Sequence, residues 1–246
     1  MRKLITDSYY YNSKKINNRA SQLGFNIIYV ANIDFYKDKY ICANSLPKNI
    51  FNSVDLFDTS KISEENKLLR YFSKEDLEKI SEMDDQYLKA SVIVRRVFAN
   101  ILDKAGNPYI DHLYTVSLSE DYISSVAGLL HDIIEDTNIT ALDLLEVGID
   151  RDIVETVFIV TKPLKEEIYL SDDDKLNAYN VEIDSIINSG NPHALRLKMR
   201  DMKNNYDKKR LELLSSEQQE WLGKKYGNNL KKLEKALESR NKNDRY

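Results

Sequence analysis

The chain of 246 residues carries 36 lysines and arginines, 40 aspartates and glutamates, and a formal net charge of −4. A general nucleic-acid-binding protein needs an excess of basic residues to neutralise phosphates, so we expect no nucleic-acid partner here. Hydrophobic residues make up 42% of the chain, too many for a disordered protein, and no apolar run approaches the roughly 20 residues that cross a bilayer.

The single cysteine, Cys42, excludes an internal disulfide, and the first 15 residues contain no apolar segment of signal-peptide length. We therefore expect a cytoplasmic protein that is not embedded in a membrane. The length suits one large domain with a smaller attachment. A homo-oligomer is compatible with this composition, which does not fix the oligomeric state.

Residues 1–72 form the first predicted unit, an N-terminal segment without an assigned role. Within it, GFNIIYVANIDFYKDKYICANSL (24–46) is rich in isoleucine, tyrosine, valine and phenylalanine and is interrupted by YKDK. Aromatic and β-branched residues favour strands, and a polar interruption favours a turn. The segment is therefore compatible with two short strands joined as a β-hairpin.

Residues 73–246 form the second predicted unit, and its pattern is helical. Ser73 and Asp76 have the spacing of a capping box, and glycine and proline are scarce, with 7 and 4 residues in the whole chain. Helices are predicted near 73–104 with one break, 109–118, 120–132, 140–147, 151–161, 173–189, 192–206, and one or two within 216–240. The lysines of KKYGNNLKKLEKALESRNK (224–242) alternate with leucines and acids, which is typical of a solvated helix face. The predicted fold class is mainly α.

The stretch SVAGLLHDIIEDTNIT (125–140) places a histidine and three acids directly after an apolar run. His131 and Glu135 are four residues apart, as are Asp132 and Asp136, so in a continuous helix each pair projects from about the same side. Unpaired carboxylates next to a core are costly, and a divalent cation would pair them. Imidazole together with carboxylates suits manganese, iron or zinc.

Further ligands are expected from two other segments. His112 opens a helix after the turn AGNP, whereas His193 begins a helix beside a loop, where a surface or capping role is expected. In LKMRDMKNN, Lys198, Asp201 and Asn205 form a polar stripe at spacings of three and four. Taken alone this stripe is compatible with a solvated helix edge. Combined with the other two segments, it indicates a metal site.

The order of these motifs resembles the HD superfamily of metal-dependent phosphohydrolases, helical bundles that bind a metal through a histidine, a His-Asp doublet and a later aspartate. The segments DKAGNPYIDH, AGLLHDIIEDT, FIVTKP and LKMRDMKNN are similar to the RelA/SpoT-type hydrolase domain and the small alarmone hydrolases. This resemblance covers about residues 86–207. It implies an HD-type helical bundle that removes the 3'-pyrophosphate from ppGpp and pppGpp, typically with manganese.

The resemblance also implies roles for individual residues. The metal ligands would be His112, His131, Asp132 and Asp201, the water-activating residues Glu135 and Asp136, and the substrate-binding residues Lys104, Lys162, Lys198 and Asn205. Among the last group, Asn205 corresponds to a contact with the nucleoside and Lys104 and Lys162 to positions near the phosphates.

One position departs from the alarmone pattern. Asp103 stands where alarmone hydrolases commonly carry an arginine that stacks on the guanine. An anion makes no cation–π contact and repels a phosphate-rich ligand. Two alternatives therefore stay open: an HD phosphohydrolase for another nucleotide or phosphate ester, and a non-catalytic nucleotide-binding regulatory module. Retention of all the candidate ligands and both following acids favours an enzyme.

Overall fold

The computed structural model describes residues 2–7, 25–30, 65–103, 106–161, 171–212 and 215–243. Two strands, β1 at Arg2–Asp7 and β2 at Phe25–Val30, pair in parallel with Leu4 opposite Ile27. β2 lies within the segment of the expected hairpin, and the rest of that segment lies outside the described residues, so the hairpin stays a prediction. A parallel pair cannot be joined by a tight turn, so β2 pairs here with a strand that the sequence did not predict.

Helices make up most of the described chain, which confirms the mainly α fold class. In chain order they are a 3₁₀ helix at Lys67–Arg70, α1 at Lys74–Ser81, α2 at Gln86–Val97, α3 at Tyr109–Ser117, α4 at Tyr122–Leu130, α5 at Ile133–Asp136, α6 at Ala141–Glu146, α7 at Arg151–Val160, α8 at Asp172–Ser189, α9 at Pro192–Asn205, α10 at Lys208–Leu211 and α11 at Ser216–Asn243. The main difference from the prediction is that α2 ends at Val97 and not near residue 104.

Reciprocal side-chain caps fix two of the helix starts. Ser73 Oγ accepts from the Asp76 N–H, and the Asp76 carboxylate accepts from the Ser73 N–H in return. Thr140 and Asp143 make the same pair at the start of α6. Each pair satisfies two N–H groups that would otherwise lack a partner. The second pair therefore fixes the start of α6, the helix that follows the segment His131–Asp136.

The helix α4 is central to the bundle and packs against α2, α3, α7 and α9. Its fully buried apolar side chains are Val126, Ala127, Leu129 and Leu130. At Gly128 a Cβ atom would lie 2.8 Å from Ser117 Cα and 2.9 Å from the Val116 carbonyl oxygen. The backbones of α3 and α4 are therefore in direct contact. Since α4 is surrounded by other helices, the residues that follow it begin inside the protein.

The long helix α11 packs along α8 and α9. Tyr226 and Leu233 are buried on its inner face, and Lys224 and Lys232 are exposed on its outer face, as the sequence predicted. Lys225 differs because its side chain is buried. Across the described ranges, we find no helix with both the length and the apolar character needed to cross a bilayer.

Candidate metal centre

The four predicted metal ligands come from three segments of the bundle. The structure groups three of them, His112, His131 and Asp132, and places Asp201 beside the two histidines. His112 lies in α3, His131 directly follows α4, Asp132 precedes α5, and Asp201 lies in α9. Both histidines are buried, and the side chains of Asp132 and Asp201 are 15% and 14% exposed. The carboxylate side of the cluster therefore keeps some contact with solvent.

The spacing of the first three ligand atoms matches a shared ion. His131 Nε2 lies 3.0 Å from Asp132 Oδ2 and 3.2 Å from His112 Nε2, and the distance from His112 Nε2 to Asp132 Oδ2 is 3.6 Å. Two ligand atoms that each lie about 2.1 Å from one cation are about 3.0 Å apart at a right angle and about 3.4 Å apart at the tetrahedral angle. The group of His112, His131 and Asp132 could therefore hold a metal ion.

Asp201 lies next to the two histidines of this group, outside the set of three. Its Oδ1 is 3.6 Å from His112 Nε2 and 3.8 Å from His131 Nε2. Asn205 Nδ2 donates to this same oxygen at 2.6 Å, and Lys198 Nζ lies 3.6 Å from the other oxygen, Oδ2. Asn205, which the resemblance assigns to the nucleoside, thus contacts Asp201 here and holds its carboxylate in position.

Hydrogen bonds at Nδ1 set the orientation of both imidazole rings. His131 Nδ1 lies 2.8 Å from the Gly128 carbonyl oxygen, and His112 Nδ1 lies 2.7 Å from Asn204 Oδ1. Because both partners are acceptors, each Nδ1 carries a proton, and in the neutral form of each ring Nε2 presents a lone pair. Two lone pairs and the nearby carboxylates then converge on one point. A cation fits this donor set, and such Nδ1 contacts are the usual support of a metal-binding histidine.

The shifted pKa values of His131 and Asp132 also indicate a place that favours a cation. Burial opposes a charge on His131, but the carboxylates of Asp132 and Asp201 outweigh it and raise the His131 pKa to about 9. Burial likewise opposes ionisation of Asp132, but the neighbouring histidines outweigh it and hold the pKa of that carboxyl well below its usual range. Asp132 is therefore ionised at neutral pH. The space between rings and carboxylates favours a positive charge, which a proton or a metal cation supplies.

A short turn separates α4 from the acids that follow it. The helix ends at Leu130, and α5 begins at Ile133. The Asp136 N–H still donates to the Asp132 carbonyl oxygen at 2.8 Å, so these two acids stay one helical turn apart, as their spacing predicted. Glu135 is half-buried and Asp136 is exposed. Asp136 thus lies on the solvent side of the cluster.

Tyr109 is a site residue that the sequence did not single out. Its hydroxyl donates to Asp132 Oδ2 at 2.5 Å and to Asp136 Oδ2 at 3.2 Å, and its ring stacks on Phe98 with centroids 5.5 Å apart. Burial, followed by the charge of Asp132, raises the pKa of the Tyr109 phenol, so the hydroxyl keeps its proton. The sequence could have pointed to Tyr109, because it lies three residues before His112 in α3 and residues three apart share a helix face.

Glu182 is a second residue that the sequence did not single out. Its Oε1 lies 2.7 Å from Lys198 Nζ, and both side chains are buried. Burial opposes the charge of Lys198, but Glu182 and Asp201 outweigh it and raise the Lys198 pKa. Lys198 is therefore charged and lies between the two acids. Because the ion pair joins α8 to α9, no spacing within one helix pointed to Glu182.

The remaining predicted substrate contacts are Lys104, in the segment between α2 and α3, and Lys162, in the segment after α7. Lys104 and Lys162 lie outside the described residues, so their roles stay predictions. Asp103 Oδ1 accepts from the Asn107 N–H at 2.9 Å, and the Asp103 N–H donates to the Asn107 carbonyl oxygen at 2.8 Å. Gly106 lies within this turn with a φ of 84°. Asp103 thus stabilises the turn, which gives a structural reason for an acid at this position.

The third histidine lies apart from the cluster, in keeping with the surface or capping role expected for it. His193 Nδ1 is 2.8 Å from Asp121 Oδ2, which also accepts from Arg196 Nη1 at 2.8 Å. Asp121 caps α4 by accepting from the Ser124 N–H. Since Asp121 precedes α4 and His131 follows it, this network and the metal cluster lie at opposite ends of one helix.

Comparisons of the chain with protein-family models and with curated proteins found no match. The resemblance to the HD superfamily therefore stays a prediction based on the order and spacing of the motifs. The geometry of the cluster does not depend on that resemblance. Two buried imidazoles beside the ionised carboxylate of Asp132 could hold a cation in a protein of any family.

Proposed function

We propose that the protein is a metal-dependent phosphohydrolase that removes the 3'-pyrophosphate from guanosine alarmones such as ppGpp and pppGpp. The observation that carries this proposal is the convergence of two histidine Nε2 atoms on the carboxylates of Asp132 and Asp201. The motif order similar to alarmone hydrolases supplies the choice of substrate. The proposed partner is accordingly a small nucleotide.

The proposed cofactor is a divalent cation held by His112, His131, Asp132 and Asp201. A mixed set of nitrogen and oxygen ligands accepts manganese, iron or zinc, and we propose manganese because the resemblance implies it. When bound, such a cation would polarise a phosphoryl oxygen and lower the pKa of a coordinated water towards neutrality.

Asp136 and Glu135 are the proposed proton acceptors. Hydrolysis joins the oxygen of water to phosphorus and breaks the bond between phosphorus and the ribose 3'-oxygen. The proton that water loses passes to one of these carboxylates and then to the departing oxygen. Tyr109 donates to both Asp132 and Asp136. The Tyr109 hydroxyl therefore holds the proposed proton acceptor Asp136 in a fixed position relative to the proposed metal ligand Asp132.

Lys198 is proposed to stabilise the site electrostatically. Its ammonium group lies 2.7 Å from Glu182 and 3.6 Å from Asp201 Oδ2, so the charge has a fixed position beside a metal ligand. Negative charge develops on the phosphoryl oxygens during attack, and a fixed cation nearby stabilises it. Lys198 also keeps the Asp201 carboxylate from rotating away from the histidines.

A second substrate class is supported by Asp103. The hydrogen bonds between Asp103 and Asn107 fix an acid at the position where guanine stacking would need an arginine. A phosphohydrolase for another nucleotide or phosphate ester, with the same metal centre, is therefore the alternative proposal.

A manganese-supplemented screen tests both proposals. Purified protein would be incubated with ppGpp, pppGpp and ordinary nucleotides, and the products would be identified by mass spectrometry. Release of pyrophosphate from the two alarmones supports the first proposal. Hydrolysis of other nucleotides with ppGpp left intact supports the second, and no hydrolysis of any of them contradicts both. An Asp201→Ala protein serves as the metal-site control.

A further inference from the structure

A buried lysine lies directly beside the candidate metal centre. Lys198 is 5% exposed, and its Nζ lies 2.7 Å from Glu182 Oε1 and 3.6 Å from Asp201 Oδ2. The ring of Tyr179 also contacts the ammonium group, with its centroid 5.6 Å away. Removing an ammonium group from water is costly, so a buried lysine needs fixed negative charge around it. The protein therefore keeps a permanent positive charge next to the group of candidate metal ligands.

The Asp201 carboxylate faces this lysine with one oxygen and the two histidines with the other. Oδ1 lies 3.6 Å from His112 Nε2 and 3.8 Å from His131 Nε2. Oδ2 lies 3.6 Å from Lys198 Nζ. Many enzymes that cleave phosphate esters bind two metal ions about 3.5–4 Å apart, and a carboxylate that binds one ion with each oxygen commonly joins them. Asp201 has the arrangement of such a shared carboxylate, with an ammonium group on one side.

The acids around Lys198 are also suited to a metal ion. Glu182 is 4% exposed, and its Oε1 makes no hydrogen bond of regular geometry within the described part of the chain, although Lys198 Nζ lies 2.7 Å away. Charge therefore holds this pair together more than a directed N–H bond does. Burial opposes the charge of the lysine, but Glu182, Asp201 and Glu135 outweigh it and raise its pKa. Carboxylate oxygens are the ligands that magnesium and manganese prefer.

We propose that Lys198 occupies the place of a second metal ion and thereby limits the centre to one ion. Its ammonium group supplies, beside Asp201, the positive charge that a metal ion supplies in a two-metal enzyme. This inference rests on the proposed metal centre and deepens it, because it fixes the number of metal ions that the reaction uses. Replacing the lysine with a small residue should therefore open a second cation site, with Glu182 and Asp201 as ligands and water in the other positions.

Equilibrium dialysis against manganese followed by elemental analysis tests this proposal. The wild type should bind one ion per chain, and Lys198→Ala should bind two. Electron paramagnetic resonance gives an independent readout, because two manganese ions that share a carboxylate are magnetically coupled and a single ion is not. Lys203→Ala is the matched control, since it removes a lysine of the same helix whose Nζ lies 3.2 Å from Glu234 Oε1 at the surface. This control should bind one uncoupled ion.

Two further measurements cover a Lys198→Ala protein that is poorly stable. In that variant the buried Glu182 carboxylate loses the cation at 2.7 Å, so manganese should raise its unfolding temperature more than that of the wild type. An equal rise in both proteins would contradict the proposal. The double variant Lys198→Met/Glu182→Gln removes both charges and fills the space, so it should bind one ion. A second ion in this double variant would show that the extra site lies elsewhere.

The ion counts separate this inference from the proposed function. One ion in Lys198→Ala, or two in the wild type, would overturn the role given to Lys198. No ion in the wild type would overturn the metal centre and this inference with it. One ion in the wild type and two in Lys198→Ala, in a protein that hydrolyses no nucleotide, would support the inference and overturn the proposed hydrolase alone.

Discussion

Replacing Gly128 with alanine tests whether the contact between α3 and α4 positions the two histidines. A Cβ at this position would lie 2.8 Å from Ser117 Cα. Non-bonded carbons normally approach to about 3.5–4.0 Å, so the two backbones must separate by about 0.7 Å or more. His112 lies on α3 and His131 follows α4, and their Nε2 atoms are 3.2 Å apart. Functional groups tolerate displacements of about 0.5 Å, so the metal affinity should fall.

We expect Gly128→Ala to lower the free energy of unfolding by about 1–3 kcal/mol and the manganese affinity by about 10–100-fold. Urea denaturation and calorimetry measure the two quantities. The matched control is Gly227→Ala in α11, where a Cβ meets nothing within 4 Å. Alanine there should raise stability by about 0.5–1 kcal/mol and leave the metal affinity unchanged. A Gly128→Ala protein with wild-type stability and wild-type metal affinity would refute the role given to this contact.

Three other perturbations act on the same site. Tyr109→Phe keeps the stacked ring and removes the hydroxyl shared by two carboxylates, so kcat should fall about 10–100-fold with wild-type metal content by elemental analysis; an unchanged kcat would remove this residue from the mechanism. Glu182→Gln leaves the Lys198 ammonium without the carboxylate at 2.7 Å, so the free energy of unfolding should fall by about 3–5 kcal/mol in urea titrations. Adding Lys198→Met should recover most of that loss, and no recovery would argue against the ion pair. The pKa of His131 is raised to about 9, above the ordinary value of about 6.5. Its contribution to the stability of metal-free protein should therefore be complete below about pH 6.5 and lost as the pH rises through about 9. Thermal unfolding of this protein at several pH values checks the direction, and stability that rises over this window would contradict it.

Most of the helices could be predicted because their signals are local. The caps at Ser73 and Thr140 and the apolar period of each helix depend only on residues within a few turns. The early end of α2 was missed because no glycine or proline follows Val97 before Gly106 to mark it. The pairing of β2 with β1 was missed because strand pairing joins residues distant in sequence, whereas a hairpin joins neighbours.

The candidate site likewise contains residues that local sequence patterns predict and residues that only the packing of the helices brings in. The His131-Asp132 doublet and the Asp201 stripe are visible in short segments, so the convergence of these side chains could be predicted. The position of Glu182 and the burial of Lys225 depend on how α8, α9 and α11 pack together, which no spacing within one helix shows. Helical spacing even assigned Lys225 to a solvated face, and the structure corrects this because the Tyr179 ring of α8 covers the side chain.

The metal centre is tested most directly by equilibrium dialysis against manganese followed by elemental analysis. We predict one ion per chain for the wild type and loss of that ion from His131→Ala, whose Nε2 lies within 3.8 Å of three other candidate ligand atoms. His193→Ala is the control, because that histidine also pairs with a carboxylate but lies at the other end of α4; it should keep the ion. A His131→Ala protein with wild-type metal content would contradict the site.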